Sequence, residues 1–157
     1  MPLSAPQLRT ARPIDRTALR SLHAAALAEL SENRGGARLA AYLPEPDELG
    51  AGPDGPAATL RCVLVGLLDG EVVGTASASC NHSPGPAGVA TLDLLFVDRA
   101  ARRRGVGSLL LGGVRSWARD RGCGGIDAPA LPGDRATKSL FEAAGMRARL
   151  LILHGDL

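Results

Sequence analysis

A turn rich in glycine and arginine follows an apolar run in the middle of the chain. Residues 92–97 read Leu-Asp-Leu-Leu-Phe-Val and are typical of a buried strand, and residues 98–108 continue through an Arg-rich turn into a helical pattern. The first amides of a helix lack acceptors and the helix dipole adds positive charge there, so such a turn can bind an anion. Gly105 and Gly107 would let a ligand approach the backbone closely. The pattern predicts a diphosphate-binding loop, with a plain basic turn as the alternative.

Two common nucleotide-binding motifs are absent from the sequence. The P-loop pattern GxxxxGK(S/T) does not occur, and the two glycines of the turn are followed by Ser108, Leu109 and Leu110 rather than by the last glycine of a GxGxxG motif. The loop therefore needs an explanation other than a P-loop or a dinucleotide fingerprint.

Two motifs resemble those of the GNAT superfamily, the N-acetyltransferases that depend on acetyl-coenzyme A. That family's acetyl-CoA signature is Gln or Arg, any two residues, Gly, any one residue, then Gly or Ala, and Arg102, Gly105 and Gly107 match it in full. Further downstream, a second set of residues falls on the positions of the family pattern N-x-x-A-x-x-L-Y-E-x-x-G-F: Asp134, Thr137, Leu140, Phe141, Glu142, Gly145 and Met146.

The resemblance implies a cosubstrate and a set of binding residues. In such enzymes two central strands splay apart, and the pantetheine arm of acetyl-CoA pairs with free backbone groups between them. By this likeness the backbone of Leu95, Phe96 and Val97 would pair with the pantetheine, a role compatible with ordinary core packing of their side chains. Arg102 would add positive charge near the phosphates. The amides that would hold the pyrophosphate belong to Arg103, Arg104, Gly105, Val106, Gly107 and Ser108.

Asp93 is the candidate catalytic residue. It lies two positions before Leu95 and shares strand parity with Leu95 and Val97, near the expected thioester. Acetyl transfer to nitrogen requires a neutral amine, so Asp93 could orient a cationic amine or pass its proton through water. Pairing with a neighbouring arginine is the alternative. Thr91 stands where some family members carry a glutamate base, and a threonine cannot do that work.

Phe141 departs from the family pattern in a way that bears on catalysis. Many relatives carry a tyrosine there as the general acid for the coenzyme A thiolate, and phenylalanine has no proton to give. An ordinary thiol pKa of about 8.5 nevertheless lets a thiolate leave near neutral pH. Tyr42, Ser139 and Cys80 are weak substitutes, and a structural role is favoured for each. A non-catalytic acyl-CoA binding or sensing domain is therefore the alternative to an N-acetyltransferase.

The elements that position these residues alternate between strands and helices. The sequence predicts strands over residues 8–11, 61–68, 71–79, 89–97, 126–131 and 147–153, and helices over about 15–32, 106–121 and 134–144. Asp69 and Gly70 form a hairpin signal. Pro129 cannot donate to a ladder, so it marks an edge or a point where strands separate. We expect one α/β (α+β) domain over residues 1–157, with a mixed, mostly antiparallel central sheet flanked by helices and splayed central strands.

Several further expectations concern the helices and the acceptor. Asp15 and Asp134 are predicted N-caps, and His23, beside an apolar stripe, is expected on the helix surface. Residues 37–58 are rich in Pro and Gly and are expected to be irregular, with a short helix near 38–42; the resemblance implies that they line the acceptor site. Acidic residues in this segment would suit a cationic amine or are merely solvated: Glu45, Asp47, Glu48 and Asp54.

Composition excludes several classes of protein. The net charge of +2 and an aromatic content of 3% argue against a basic nucleic-acid binder that stacks on bases, although Arg99 with Arg102, Arg103 and Arg104 keeps a nucleic-acid-associated module as a third reading. No apolar stretch approaches the roughly 20 residues of a membrane span. The N-terminus lacks a signal-peptide pattern, so we expect a cytoplasmic protein.

The spacing of the cysteines and histidines does not predict a metal site. Cys62, Cys80 and Cys123 are widely spaced without a CxxC pair and are expected to be free thiols, and the histidines are scattered. The apolar residues 150–153 could pair with a second copy across a dimer edge. The resemblance to the GNAT superfamily implies an enzyme that acetylates a primary amine of a small molecule or peptide by direct attack, with acetyl-CoA as cosubstrate.

Overall fold

The structure is a computed structural model, and it describes residues 4–44, 59–81 and 88–157. Within these ranges the elements are β1 Gln7–Thr10, α1 Arg16–Ser31, α2 Gly36–Ala40, β2 Thr59–Leu68, β3 Glu71–Asn81, β4 Val89–Val97, α3 Val106–Asp120, β5 Gly125–Asp127 and α4 Arg135–Ala143. Short 3₁₀ turns at Pro13–Asp15 and Arg99–Ala101 precede α1 and α3. The predicted strand at 89–97 and helix from 106 are confirmed.

The strands form one sheet in chain order from β1 to β5. Neighbours from β1 to β4 pair antiparallel, and β4 pairs parallel with β5. The turn between β2 and β3 has φ of 51° at Asp69 and 84° at Gly70, the left-handed geometry that favours an Asp-Gly pair in a tight hairpin. A mixed, mostly antiparallel sheet flanked by helices confirms the predicted fold class.

Helix α3 covers one face of the sheet. Its most buried side chains, each at most 1% exposed, are Val106, Leu110, Leu111 and Val114. Two glycines permit the close approach of this helix. A Cβ on Gly66 of β2 would lie 2.6 Å from Val106 Cγ1, and one on Gly113 of α3 would lie 2.5 Å from Leu8 Cδ2. Larger residues at either position would push the helix away from β1 and β2.

Helix α1 covers the opposite face. Leu19 packs against apolar side chains of β2, whereas Leu22 and Ala26 pack against Leu94 and Phe96 of β4. The helix also contacts β3, which lies between those two strands. The sheet is therefore enclosed by α3 on one side and α1 on the other.

Asp15 does not cap α1 with its side chain, contrary to the prediction. Its carboxylate accepts hydrogen bonds from Arg9 Nη1 at 2.6 Å and Nη2 at 2.9 Å, and from the Arg12 backbone N–H at 2.7 Å. Hydrogen bonding from Arg9 is the main reason that the pKa of Asp15 lies below its ordinary value. The carboxylate thus ties β1 to the start of α1. The predicted cap at Asp134 is confirmed, since Oδ1 accepts from the Thr137 backbone N–H at 3.0 Å.

The predicted C-terminal strand is wrong. Residues 147–157 form no regular element, and residues 150–153 are between 60% and 85% exposed. A strand requires a neighbour to complete its hydrogen-bond ladder. One edge strand of the sheet, β5, is only three residues long, and the apolar composition of the segment does not by itself produce a strand.

Candidate active site

The strands β4 and β5 separate partway along β4. Their register pairs Val89 with Gly125, Ala90 with Ile126 and Thr91 with Asp127, where β5 ends. β4 continues to Val97 and stays paired on its other side with β3. Beyond Thr91, the edge of β4 that faces away from β3 has no strand partner among the described residues. Its free backbone groups could pair with an extended ligand, as in β-strand addition.

Pro129 lies beyond the end of β5 rather than within a strand. The predicted strand over 126–131 is therefore too long. The interpretation of Pro129 as a point of strand separation agrees with this geometry, because a residue without an N–H cannot continue the ladder.

The turn after β4 leaves backbone amides free at the start of α3. Arg103 and Gly105 adopt left-handed conformations with φ of 65° and 83°, and Gly105 is the N-cap of α3. The Leu109 N–H bonds to the Gly105 carbonyl at 3.0 Å, so the amides of residues 106–108 have no acceptor within the helix. Together with the helix dipole and neighbouring guanidinium groups, these amides form a candidate anion site.

Arg102 is held by groups of the protein. Its Nη2 lies 2.8 Å from both carboxylate oxygens of Glu29 on α1, and its Nε donates to the Val97 carbonyl at 3.0 Å. The guanidinium also lies over the Phe96 ring, 5.5 Å from the centroid. These contacts fix the loop against α1, a role that the sequence did not predict. They also engage the carbonyl of Val97, one of the residues predicted to pair with pantetheine.

Asp93 lies on a β-bulge at the place where the strands separate. Ser77 pairs with Leu94 and Ala78 with Leu92, which leaves Asp93 outside the register. Its Oδ1 accepts from the Ser79 hydroxyl at 3.0 Å, while its buried Oδ2 has no partner in the described part of the chain. Burial raises the pKa of Asp93 above its ordinary value, opposed by the Ser79 hydrogen bond and by the charge of Arg61. Such a carboxyl group is suited to accept a proton.

The bulge changes which face Asp93 occupies. Leu95 and Val97 pack into the cluster under α3. Ala78 of β3 also packs under α3. Because successive side chains of a strand point to opposite faces, its neighbour Ser79 lies on the α1 side, and Asp93, which accepts the Ser79 hydrogen bond, lies there too. The predicted shared face of Asp93, Leu95 and Val97 is therefore wrong, because a bulge adds a residue and shifts the alternation.

Sequence reasoning missed a polar strip between α1 and the sheet, which we define as His23, Ser77 and Asp93. His23 is 6% exposed and Ser77 0% exposed, so the expected surface position of His23 is wrong. His23 Nε2, Ser77 Oγ and Asp93 Oδ2 are buried and have no hydrogen-bond partner among the described residues. Each unpaired buried polar atom costs about 1–3 kcal/mol. Three on the same side of the sheet indicate a place for water or for polar groups of a ligand.

Phe141, at the position of the family's tyrosine, and the three weak substitutes for that tyrosine lie in different surroundings. Phe141 is 7% exposed within the α3 cluster, so it packs in the core. Tyr42 is 73% exposed just after α2, and Cys80 is 2% exposed. Ser139 lies on the exposed surface of α4. The acidic residues at 45, 47, 48 and 54 lie outside the described residues.

Two kinds of feature are not found in residues 4–44, 59–81 and 88–157. No group of three or more His, Cys, Asp or Glu side chains there could hold a metal ion. None of the helices in these ranges is both long enough and apolar enough to cross a membrane.

Comparisons with known proteins agree with this architecture. Residues 24–146 match the model of the acetyltransferase (GNAT) family. The structure of AAC(6')-Iy with the bisubstrate analogue CoA-S-monomethyl-acetylneamine is similar with a TM-score of 0.66 at 19% identity, covering 98% of this chain and 100% of that one. The structure of a mutant BH1408 protein from Bacillus halodurans is similar with a TM-score of 0.73 at 18% identity, covering 96% of this chain and 99% of that one. A third similar structure is the aminoglycoside acetyltransferase meta-AAC0020 from an uncultured soil metagenomic sample, in complex with trehalose. Its TM-score is 0.68 at 16% identity, covering 97% of this chain and 95% of that one. Among curated proteins, none matches the chain.

Proposed function

We propose, from the premise that this chain belongs to the acetyltransferase (GNAT) family, that it moves an acetyl group from acetyl-CoA to a primary amine of a small molecule or peptide by direct attack. The observation that supports this most strongly is the open edge of β4 ending at a helix N-terminus with free amides. One extended ligand with a diphosphate at one end and an amide-containing arm fits both features. Acetyl-CoA has that chemistry, and it supplies the acetyl group as a reactive thioester.

The cosubstrate would be held mainly by backbone groups. The unpaired edge of β4 at Leu95, Phe96 and Val97 would bind the pantetheine arm, except that the Val97 carbonyl already accepts from Arg102. The amides from Arg103 to Ser108 would bind the pyrophosphate, with the exposed guanidinium of Arg103 beside them. Arg102 would act less on the phosphates than on the loop that presents these amides.

Asp93 would accept the proton of the incoming ammonium group. Its free Oδ2 and raised pKa favour proton uptake, and Ser79 holds the other oxygen in place. That proton moves to the carboxylate first, directly or through water, and leaves a neutral amine with a free lone pair. The nitrogen then bonds to the acetyl carbon, the carbon–sulfur bond breaks, and the second proton lost from nitrogen passes through solvent to the departing thiolate. Phe141 gives no proton, so the departing thiolate would leave unassisted by that side chain, as an ordinary thiol pKa of about 8.5 permits.

The acceptor class follows from the side of the sheet on which Asp93 lies. Asp93 belongs to the polar strip facing α1, whose unpaired atoms could receive ammonium or hydroxyl groups. Two of the similar structures are acetyltransferases of aminoglycosides, which are hydroxylated polyamines. We therefore propose a cationic, hydroxyl-bearing amine as the first class of acceptor to test.

A non-catalytic acyl-CoA binding domain is the second candidate, and the burial of Phe141 in the core favours it. Release of free thiol from acetyl-CoA in the presence of a panel of amines separates the two. An acetyltransferase would release thiol with at least one amine, and Asp93→Asn would lower that rate by about 10²–10⁴-fold while still binding acetyl-CoA. Binding without turnover on a broad panel would instead support the sensing domain.

The loop itself is tested by two variants at one position. Both Gly105→Asn and Gly105→Asp must adopt the left-handed conformation at φ 83°, which Asn and Asp tolerate. Only Asp adds a negative charge, which would repel the diphosphate. Two unit charges of the same sign 4 Å apart repel each other by about 1–4 kcal/mol. We therefore expect acetyl-CoA to bind at least tenfold more weakly to Gly105→Asp than to Gly105→Asn.

The measurement is the thermal midpoint with and without acetyl-CoA. At about 100 times Kd, the ligand should raise the stability of the wild-type protein by ~2.7 kcal/mol, a shift of several degrees. Without ligand, Gly105→Asp should be as stable as Gly105→Asn, since an acidic N-cap stabilises a helix. Equal ligand shifts in the two variants would contradict a diphosphate site at this loop.

A further inference from the structure

Cys80 and Cys123 come together although 43 positions separate them in the chain. Their Sγ atoms lie 2.7 Å apart, and both are free thiols in this structure. Cys80 lies one residue before the end of β3 and contacts Ala90 of β4. Cys123 lies in the turn that joins α3 to β5. We propose that Cys80 and Cys123 form a reversible dithiol–disulfide pair that responds to low-molecular-weight disulfides.

The geometry already brings the sulfurs within reach of each other. A disulfide bond has a length of about 2.05 Å, so closing the pair requires a further approach of only ~0.7 Å. The Cys123 backbone N–H bonds to the Ala118 carbonyl at 3.0 Å, and Gly124 N–H bonds to the Gly88 carbonyl at 2.9 Å. The turn that carries Cys123 is thus anchored at both α3 and the start of β4, and it presents the thiol without a large backbone movement.

The two thiols differ in accessibility, which sets the order of the reaction. Cys123 is half-buried, whereas Cys80 is 2% exposed. The Cys123 thiolate would attack an external disulfide RSSR, forming a mixed disulfide and releasing RS⁻. The Cys80 thiolate would then attack the Cys123 sulfur of that mixed disulfide, releasing the second RS⁻. Two protein thiols are oxidised, one RSSR is reduced to two RSH, and the two thiol protons pass to the leaving thiolates through solvent.

The environment makes this reaction slow near neutral pH. Burial and the neighbouring Cys80 thiol raise the pKa of Cys123 to about 11. Because the thiolate is the attacking species, the rate of the first step should rise nearly tenfold per pH unit between pH 7 and 9. The pair would therefore stay reduced under mild conditions and close under sustained oxidation.

Cys62 provides a control within the same chain. It is also buried, and burial raises the pKa of its thiol to about 11. It lies in the cluster under α3 rather than in the cluster that holds Cys80. Oxidation that simply followed thiol pKa would treat Cys62 and Cys123 alike, whereas the proposed pairing spares Cys62.

The test treats the native protein with oxidised glutathione at pH 8.5 and then counts thiols after unfolding in the absence of reductant. The wild-type protein should fall from three thiols to one and lose two hydrogens in mass. On a non-reducing denaturing gel it should run as a single chain, which excludes a disulfide between two chains. Cys80→Ser should instead retain one glutathione at Cys123, because the resolving thiol is gone. Cys123→Ser should keep both of its thiols.

The cross-link should also stabilise the fold. Closing a loop of this length raises the midpoint of thermal unfolding by on the order of 10 °C in the chain-entropy model, and a reductant should reverse the change. Cys62→Ser should show the same reversible shift as the wild-type protein, and Cys123→Ser should show none. A native wild-type protein that retains three thiols, or that loses Cys62 as readily as Cys123, would overturn the proposal.

Discussion

The contacts of Arg102 predict that its removal weakens the fold more than it weakens acetyl-CoA binding. The family signature would lead one to expect a phosphate ligand at this position, but the guanidinium contacts Glu29, the Val97 carbonyl and the Phe96 ring. The perturbation is Arg102→Met, which keeps much of the length of the side chain and removes its donors and charge. Glu29→Gln serves as the matched change on α1.

The magnitude can be built from three contacts. The pair with Glu29 is partly exposed, with side-chain exposures of 37% and 29%, so about 1 kcal/mol is appropriate after screening. The charged hydrogen bond to Val97 adds about 1.5 kcal/mol, and the contact with the Phe96 ring adds about 0.5 kcal/mol. Arg102→Met should therefore lower the free energy of unfolding by about 3 kcal/mol, and Glu29→Gln by about 1 kcal/mol.

Thermal and urea unfolding of the two single variants and the double variant provide the assay. The double variant should lose about 1 kcal/mol less than the sum of the singles, because both remove the same ion pair. Acetyl-CoA affinity of Arg102→Met should change by only a few fold when it is measured well below the unfolding midpoint. An unchanged midpoint together with a loss of affinity of tenfold or more would contradict this prediction and make Arg102 a direct ligand of the phosphates.

Three further predictions concern stability, pH and assembly. Asp15→Asn should lower the free energy of unfolding, since it removes the charged partner of the Arg9 guanidinium and weakens the tie between β1 and α1. Because the pKa of Asp15 is lowered in the fold, its contribution is present above about pH 4 and lost as pH falls through the folded value. Acid titration of the variant should therefore show a shallower loss of stability. Asp93→Asn should raise the unfolding midpoint at pH 7 while lowering activity. The pKa of Asp93 is raised in the fold, so ionisation of Asp93 destabilises the folded protein increasingly as pH rises from about 4 toward the folded pKa. An equal or lower midpoint would count against a desolvated carboxylate. We propose that residues 150–153 pair with a second copy of the chain. Light scattering should then give twice the chain mass of 16.1 kDa for the wild-type protein and a monomer for the double variant Leu151→Glu with Leu153→Glu. A monomeric wild-type protein would contradict this proposal.

Local sequence signals predicted several of the turns and helix ends of the fold. Asp69 and Gly70 adopt the left-handed turn that their identities favour, and Asp134 caps α4 through Thr137. Gly105 has a positive φ at the N-cap of α3, a conformation that glycine adopts without steric cost. In each case the interaction that decides the structure lies within a few residues of the chain, where residue identity alone constrains it.

The features missed by the sequence depend on contacts between distant residues. The pairing of Arg102 with Glu29 joins residues 73 positions apart, and nothing in either neighbourhood specifies the other. The bulge at Asp93 arises from the register against β3, which strand propensity does not encode. His23 is different, since it lies four residues after Leu19 and three before Ala26, and extending the helical stripe to it would have predicted its burial.

The site arises where two irregularities of β4 fall next to each other. β5 stops pairing after Thr91, which opens one edge of the strand, and the bulge at Asp93 turns a carboxyl group toward the α1 side. A regular strand with a full-length neighbour would have neither a free edge nor an unpaired carboxylate oxygen. Because the open edge and the polar strip begin within two residues of each other, an acyl donor bound along β4 and an amine bound under α1 would meet at Asp93. The bulge therefore does more than bend the strand, since it places the proposed proton acceptor where the two proposed substrates would converge.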